Sequence, residues 1–346
     1  MIIKNKYLLN FSVSTTSGGL KRLIEFSKWF NSNGGAWFII HPACIFLKKK
    51  YPNNRYYIVK QNRLTRFFFD CFYLSKILHQ VGKPEFYYSY GIPIYNRVAK
   101  INWFHLSNVL PILNNTTGLK LSLFDKLVRL KVLGNKIKKN FKNADIVSAE
   151  SRNSLKLINK QQIKEAFLCI NGSDDEIKFS QKVNKNQKDN IAIIVGTQKY
   201  KRISDAYLIF KYLRRKNKNL KLKIVGDIKN VSKKISNDER VILTGTLNHT
   251  KVIKLLKKAK YYISTTVIEN SFNNASEGIF FAEESYISNI APHKELLKDE
   301  THKTISLNFL NYKLLKIKRT NIKGKNLFLW DALIKKIIHK IKNQIQ

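Results

Sequence analysis

Short apolar, β-branched or aromatic runs alternate along this chain with amphipathic runs of period three to four. The first cycle is Leu8 to Val13, an apolar strand, then the turn Ser14-Thr15-Thr16-Ser17-Gly18-Gly19, then the helical run Leu20 to Phe30. Further strand-like runs are Ala36 to Ile40, Tyr56 to Val59, Phe86 to Tyr90, Ile101 to His105, Ile146 to Ala149 and Ala166 to Ile170. Helical patterns fall at Thr65 to His79, Leu121 to Asn140 and Ser151 to Ile158. Strands that alternate with helices imply parallel pairing and a doubly wound sheet.

The polar stretch Phe179 to Asn190, rich in Lys, Asn and Gln, reads as a linker, and a second series follows it. Ile191 to Val195, Leu220 to Val225, Val241 to Leu243 and Tyr261 to Thr265 read as strands, with helices at Ser204 to Arg214 and Thr250 to Ala259. At 346 residues the chain is long enough for two core-bearing domains, given the usual ~100–200 residues each. The expected architecture is α/β, with two Rossmann-like domains facing a cleft, residues 1–178 and 179–325. Ligands of open parallel sheets sit at the carboxyl ends of the strands. Gly18-Gly19, His105, Gly196 and Glu269 all fall at such ends.

Composition changes the question of partners, not of fold. Lys and Arg number 64 against 23 Asp and Glu, a formal net charge of +41, which raises nucleic acid or an anionic membrane surface as partners. Lys, Asn and Ile are abundant everywhere, loops included, so a general compositional bias is the competing reading. Zinc-finger spacing, an RNP-like aromatic motif and a basic stripe confined to one element are all missing, so no nucleic acid is expected. Cys44, Cys71 and Cys169 are odd in number and scattered, as reduced cytosolic thiols are. Met1 to Asn10 lacks the apolar core and small-residue cleavage site of a signal peptide, and no run of 18 apolar residues occurs. A cytoplasmic location is expected.

The candidate chemistry centres on Glu269 to Glu277, E-N-S-F-N-N-A-S-E, placed between the strand-like Tyr261 to Thr266 and an apolar segment carrying Ile279, Phe280, Ala282 and Ile287 at helical spacing. Glu269 then lies in a strand-to-helix loop, and Glu277 in the first helical turn, where free N–H groups suit a diphosphate. One carboxylate can reach sugar hydroxyls and the other ribose hydroxyls. Asn274 and Glu277 also fit a capping box, the plainer reading. A sugar-nucleotide diphosphate is held by a divalent metal or by basic side chains and helix N-termini. No D-x-D or H-x-x-x-H occurs, which favours the metal-free option, with Lys201 and Arg202 supplying positive charge. A solvated Lys-rich loop competes with that role. Gly18 and Gly19 permit close backbone approach or form a plain tight turn. Arg63, Arg66, Phe67, Phe68, Phe69, Phe72 and Tyr73 make either a lipid-interface helix or a helix whose aromatic face packs on the sheet.

Taken in order, these pieces resemble the retaining glycosyltransferases of the group-1 class (family four), which have the two-domain GT-B fold. Ile194-Val195-Gly196 with Lys201, Arg202 and Asp205, then Ile224-Val225-Gly226-Asp227, Val241-Ile242-Leu243-Thr244-Gly245 and the Glu269 to Glu277 pair are similar to the family's successive strand ends. Ser151 after Asp145-Ile146-Val147, and Asn171-Gly172-Ser173-Asp174, resemble its inter-domain approach, and Trp330 its closing segment. The resemblance implies catalytic roles for Glu269 and His105, the latter near the transferred sugar, unless His105 is a buried structural histidine. It implies donor binding by Gly18, Gly19, Gly196, Lys201, Arg202, Ser271, Asn273, Asn274 and Glu277, with no metal and no cofactor. Residues 326–346 are expected to form a helix packing back on the first domain. Two departures stand out: Asn270-Ser271-Phe272-Asn273-Asn274 replaces Gly-Phe-Gly-Leu-Pro, and Thr197 replaces the Arg after the strand glycine, passing the basic role to Lys199, Lys201 or Arg202. The loop variant is similar to enzymes of bacterial surface polysaccharide assembly.

The expected activity is metal-independent hexosyl transfer from a nucleoside-diphosphate sugar to a saccharide acceptor, lipid-linked, in lipopolysaccharide O-antigen or capsule synthesis at the inner face of the cytoplasmic membrane. A lone acid at Glu269 favours transfer over hydrolysis, which needs two carboxyls flanking the bond. The rival readings are a basic nucleic-acid-binding protein and a catalytically inactive sugar-binding GT-B protein.

Overall fold

A computed structural model describes residues 6–60, 65, 68–113, 128, 131–159, 163–170, 172–173, 188–271, 273–298, 300–319 and 328–345. The chain divides into two compact units, Met1–Asn115 with Leu121–Gly172 and Phe328–Gln346, and Thr116–Lys120 with Ser173–Leu327. Each is an α/β unit around its own sheet.

The first unit holds β1 (Tyr7–Asn10), β2 (Trp37–Ile40), β3 (Arg55–Ile58), β4 (Phe86–Tyr90), β5 (Ile101–His105), β6 (Ile146–Ala149) and β7 (Glu165–Leu168). They pair in the order β3-β2-β1-β4-β5-β6-β7, every pair parallel. Strands β1, β2, β4, β5 and β6 are buried along their whole length, which is why they read as runs rich in apolar and aromatic residues rather than as a strict apolar–polar alternation. The helix Ser17–Ser32 turns Leu23, Phe26 and Phe30 onto the sheet at helical spacing. The helix Trp330–Ile345 inserts Trp330, Leu333, Ile334, Ile337, Ile338 and Ile341 into the same core, and Trp29 Nε1 donates to Asp331 Oδ1 at 3.1 Å. At about 1.5–3 kcal/mol per large apolar side chain buried, that face is enough to hold the C-terminal helix on the first unit.

In the second unit β9 (Asp189–Val195), β10 (Lys221–Val225), β11 (Val241–Gly245), β12 (Ala259–Ser264), β13 (Glu284–Ser288), β14 (Lys303–Ile305) and β15 (Leu314–Lys318) pair in the order β11-β10-β9-β12-β13-β15-β14. The first five are parallel, and β15 runs antiparallel to β13 and β14. Two-residue strands β8 (Gly172–Ser173) and β16 (Phe328–Leu329) lie where the chain passes from one unit to the other.

Some expectations shift. Gly18 and Gly19 lie not in a loop but in the first turn of the helix Ser17–Ser32, because the turn ends at Thr16, three residues earlier than expected. Ile287 belongs to β13: the helix that begins at Asn273 stops at Phe281, and Ala282-Glu283 leads into a strand. The helix expected at Leu121 to Asn140 is seen as Gly134–Asn140, the preceding residues being largely outside the described set. Also outside it are Asn171, Asp174, most of the expected linker, and Arg63, Arg66 and Phe67. Of the aromatic run, Phe69 is buried while Phe68 and Phe72 are exposed, so it serves both the core and the surface.

Candidate functional site

The carboxyl ends of β9 and β12 are adjacent in the second sheet, and the chain leaves them in opposite directions along the strand order. Such a switch point is where open parallel sheets bind ligands. Each neighbouring strand on the β9 side ends in a glycine with left-handed backbone: Gly196 (φ 94°), Gly226 (φ 145°) and Gly245 (φ 70°). Gly196 N donates to Val225 O at 2.8 Å and Gly226 N to Gly245 O at 3.0 Å, so the three turns lock to one another. A Cβ on Gly196 would come within 2.9 Å of Gln198 Oε1 and 3.4 Å of Lys201 Cε. A side chain there would press on Gln198 and come into contact with Lys201.

After Gly196 the loop makes one short turn, Lys199–Lys201, and Arg202 adopts φ 50°, ψ 53° before the helix Ile203–Lys216. The left-handed residue points Lys201 inward, leaving its side chain 8% exposed. Its ammonium donates to a Glu269 carboxylate oxygen, across 68 positions of sequence. Thr265 Oγ1 donates to the carbonyls of Lys201 and Arg202 at 2.8 and 2.9 Å, and Val267 N donates to Tyr200 O at 3.0 Å. The two loops are thus stitched together beside the ion pair. Glu269 lies in the loop between β12 and the helix Asn273–Phe281, as the sequence implied.

Arg202 is placed differently from Lys201. Its Nε pairs with Asp205 Oδ2 at 3.0 Å, and its guanidinium lies 5.1 Å from the Tyr312 ring centroid. Tyr312 in turn donates to Asp205 Oδ2 at 3.0 Å. Arg202 is therefore held by its own side-chain partners, and Lys199 is exposed at the surface. Of the three candidate cations, Lys201 is the one joined to Glu269. Thr197, where an Arg was expected, is buried against Gly226, whose Cβ would come 2.7 Å from Thr197 Cγ2.

Ser271 and Asn273 are half-buried at the helix entrance, and Asn274 is the second helical residue, not its cap. The capping-box reading fails on that geometry. Glu277 is the fifth residue of the helix, just past its first turn. Its Oε1 lies 2.8 Å from His249 Nε2, at the start of the helix His249–Lys258, whose cap is Asn248. Neither His249 nor Tyr312 stood out in the sequence, since nothing local marks a side chain that matters through a distant partner.

His105 ends β5 in the first unit, with its ring wholly buried between β4 and β6. Its Nδ1 is 2.8 Å from Ser148 Oγ, its Nε2 is 3.1 Å from Glu150 Oε1, and it stacks on Tyr90 at 5.2 Å and 11°. Glu150 also accepts from Arg22 Nη2 at 3.2 Å, and Arg22 Nη1 donates to Tyr88 Oη at 3.2 Å. Burial, with Arg22 adding to it, pushes the His105 ring down to about 4, against the Glu150 contact that raises it. The ring is neutral near pH 7. Gly19 sits close by: a Cβ there would meet Tyr90 Cε1 at 3.2 Å and Ser14 Oγ at 3.3 Å.

Among the described residues no group of three or more His, Cys, Asp or Glu could hold a metal ion. Among them, too, no helix is long and apolar enough to cross a membrane.

Residues 175–272, which contain Gly196, Lys201 and Glu269, match the family model described as glycosyl transferases group 1. No curated protein matches the chain at a significant level. In fold, the chain is similar to Anabaena HepE in complex with UDP and glucose: TM-score 0.57 at 13% identity, covering 98% of this chain and 90% of that one. It is similar also to an α,α-trehalose-phosphate synthase (UDP-forming) from Burkholderia vietnamiensis, TM-score 0.53 at 9% identity, covering 85% and 87%. An E. coli structure described as trehalose-6-phosphate bound with UDP-2-fluoro glucose gives TM-score 0.53 at 10% identity, covering 85% and 86%. The fold is that of the GT-B glycosyltransferases, and the family match over residues 175–272 supports a glycosyltransferase.

Proposed function

We propose that this chain is a retaining glycosyltransferase that moves a hexose-type sugar from a nucleoside-diphosphate carrier to a saccharide acceptor, lipid-linked, in bacterial surface polysaccharide assembly. The observation that carries this reading is the Lys201–Glu269 pair at the switch point of the second sheet, inside the segment that matches the family model. A diphosphate gains negative charge as its bond to the sugar breaks, and a buried ammonium stabilises that charge more than a solvated one can. A bound donor phosphate takes over as partner of Lys201. Glu269 is then free to accept hydrogen bonds from sugar hydroxyls.

Retention follows when the acceptor hydroxyl attacks the anomeric carbon on the face the phosphate leaves. The new carbon–oxygen bond forms as the old one breaks, and the departing phosphate oxygen takes the acceptor's proton. No protein carboxylate need act as nucleophile. Gly196, Ser271, Asn273 and Asn274 line the backbone approach, and Glu277 faces the nucleotide ribose. Arg202, tied to Asp205 and Tyr312, serves by shaping the loop around Lys201. His105, with both ring nitrogens taken and no exposed surface, enters as a positioning residue for Tyr90 and Gly19. Because Lys201 supplies the positive charge, transfer is expected to persist in EDTA. Peripheral association with the anionic inner face of the cytoplasmic membrane fits the net charge of +41.

The test is a thermal-shift panel of UDP-, GDP-, ADP- and dTDP-sugars, followed by turnover with the sugar nucleotide that stabilises most. Glu269→Gln should lower transfer by about two to three orders of magnitude while the chain still folds, as its circular dichroism would show. Undiminished turnover in that variant removes Glu269 from the reaction, and a product of inverted configuration by NMR overturns retention.

A further inference from the structure

One buried side chain beside this site has no part in the scheme above. His293 is the third residue of the helix Ala291–Leu296, directly after β13, and is 0% exposed. Its Nδ1 lies 2.7 Å from the Ser288 carbonyl oxygen. A carbonyl only accepts, so Nδ1 carries the hydrogen. Burial, together with the nearby Lys201 charge, pushes the ring down to about 4 against the Ser288 contact, so the imidazole is neutral and Nε2 presents a bare lone pair. Among the described residues that buried Nε2 has no hydrogen-bond partner. Buried polar atoms are nearly always paired, and one that is not calls for a reason.

Its place in the fold supplies one. The Ser288 hydroxyl donates to the Thr266 carbonyl, and Thr265 next door holds the backbone of Lys201 and Arg202. His293 therefore stands on the scaffold that carries the Lys201–Glu269 pair, tied to it through Ser288, Thr266 and Thr265. A lone pair needs a hydrogen. Ionised phosphate oxygens have none to offer, whereas a sugar hydroxyl does. We infer that His293 Nε2 accepts a hydrogen bond from a hydroxyl of the transferred sugar, making His293 a sugar-specificity residue of the donor site; this rests on the donor-site reading given above.

The experiment is calorimetric titration of the parent chain, His293→Asn and His293→Gln. The ligands are the sugar nucleotide that stabilises the parent most in the panel, and its free nucleoside diphosphate. Asn keeps an N–H for the Ser288 carbonyl and has no atom at the Nε2 position, whereas Gln puts an amide oxygen close to it. His293→Asn should weaken the sugar nucleotide by about tenfold, the equivalent of one hydrogen bond, and leave the free nucleotide unchanged. His293→Gln should recover part of that loss and, should the Asn chain not fold, its ratio of the two affinities answers the same question. Equal weakening of both ligands, or no weakening of either, overturns the assignment. If the parent binds no nucleotide sugar, the donor site itself is refuted and this inference with it. If Glu269→Gln impairs transfer but both His293 variants bind sugar nucleotide like the parent, only the role of His293 falls.

Discussion

Glu277 Oε1 and His249 Nε2 lie 2.8 Å apart, joining two helices that follow different strands of the second sheet. A carboxylate only accepts, so the imidazole donates through Nε2 and holds the carboxylate in one orientation. Glu277→Gln should weaken nucleoside-diphosphate binding by about tenfold, the loss of one charge-assisted hydrogen bond. His249→Ala should weaken it less, since the carboxylate stays and only its orientation is loosened. Calorimetry with the free nucleotide checks both, and a larger effect at His249 than at Glu277 would contradict the assignment.

Next to Glu277, the helix and β12 approach so closely that Gly278 has no room for a side chain. A Cβ there would lie 2.2 Å from Tyr262 Cδ1, and Tyr262 is buried under it. Gly278→Ala should destabilise the chain by about 1–3 kcal/mol through overpacking, even though Ala is the better helix former. Chemical denaturation measures it; a gain in stability would mean that the helix can shift outward at no cost.

Acid should destabilise the protein in two stages. His105 and His293 ionise near pH 4 when folded, against 6.5 in an exposed chain, because burial disfavours their charged form. The unfolded chain therefore binds more protons between those values, and stability present above pH 6.5 is lost as pH falls to about 4. Asp145 adds a second stage: against the opposing effect of burial, hydrogen bonds from Arg97 and Lys164 hold it near 2 rather than 3.8. Its contribution is present above pH 3.8 and goes as pH falls toward 2. Melting temperature followed from pH 7.5 to 3 should decline steadily below about 6.5; a level trace down to pH 4 would be inconsistent with two neutral buried imidazoles.

The aromatic run offers a handle on the surplus charge. Phe68 and Phe72 are 48% and 50% exposed. If they seat a basic surface on anionic lipid, Phe68→Ser with Phe72→Ser should reduce co-sedimentation with phosphatidylserine vesicles severalfold, and rising salt should release the parent chain as screening shortens to ~8–10 Å. Vesicle binding matched by duplex DNA and unmoved by the double substitution would mark the charge as background composition.

How far the sequence led depends on how local each signal is. Strands β4, β5 and β6 coincide with the runs read from apolar patterning, because a strand buried on both faces is rich in apolar and aromatic residues, and its few polar members, Ser89, Asn102, His105 and Ser148, are themselves buried. Strands β13 to β15 escaped that reading: Glu284–Ser288 begins with an acid, Leu314–Lys318 alternates with lysine, and Lys303–Ile305 is three residues long. In the candidate site, Gly196, Lys201 and Glu269 were legible because strand, glycine loop and helix succeed one another in sequence. The contacts of Glu277 with His249 and of Asp205 with Tyr312 cross 28 and 107 positions, and no periodicity records such pairs. His293 gave no sign at all, since its interest lies in an atom left unmatched.

The pairing of β9 with β12 also sets a timetable for synthesis. Strands β9 to β11 emerge from the ribosome first and can pair among themselves, yet the loop after β9 gains its partner only when β12 and Glu269 have followed. Until then Lys201 is a solvated cation on half a sheet, without its carboxylate partner. The pair is thus completed only by the return crossing of the chain, so a chain that ends before Glu269 cannot form it, however well its first three strands associate.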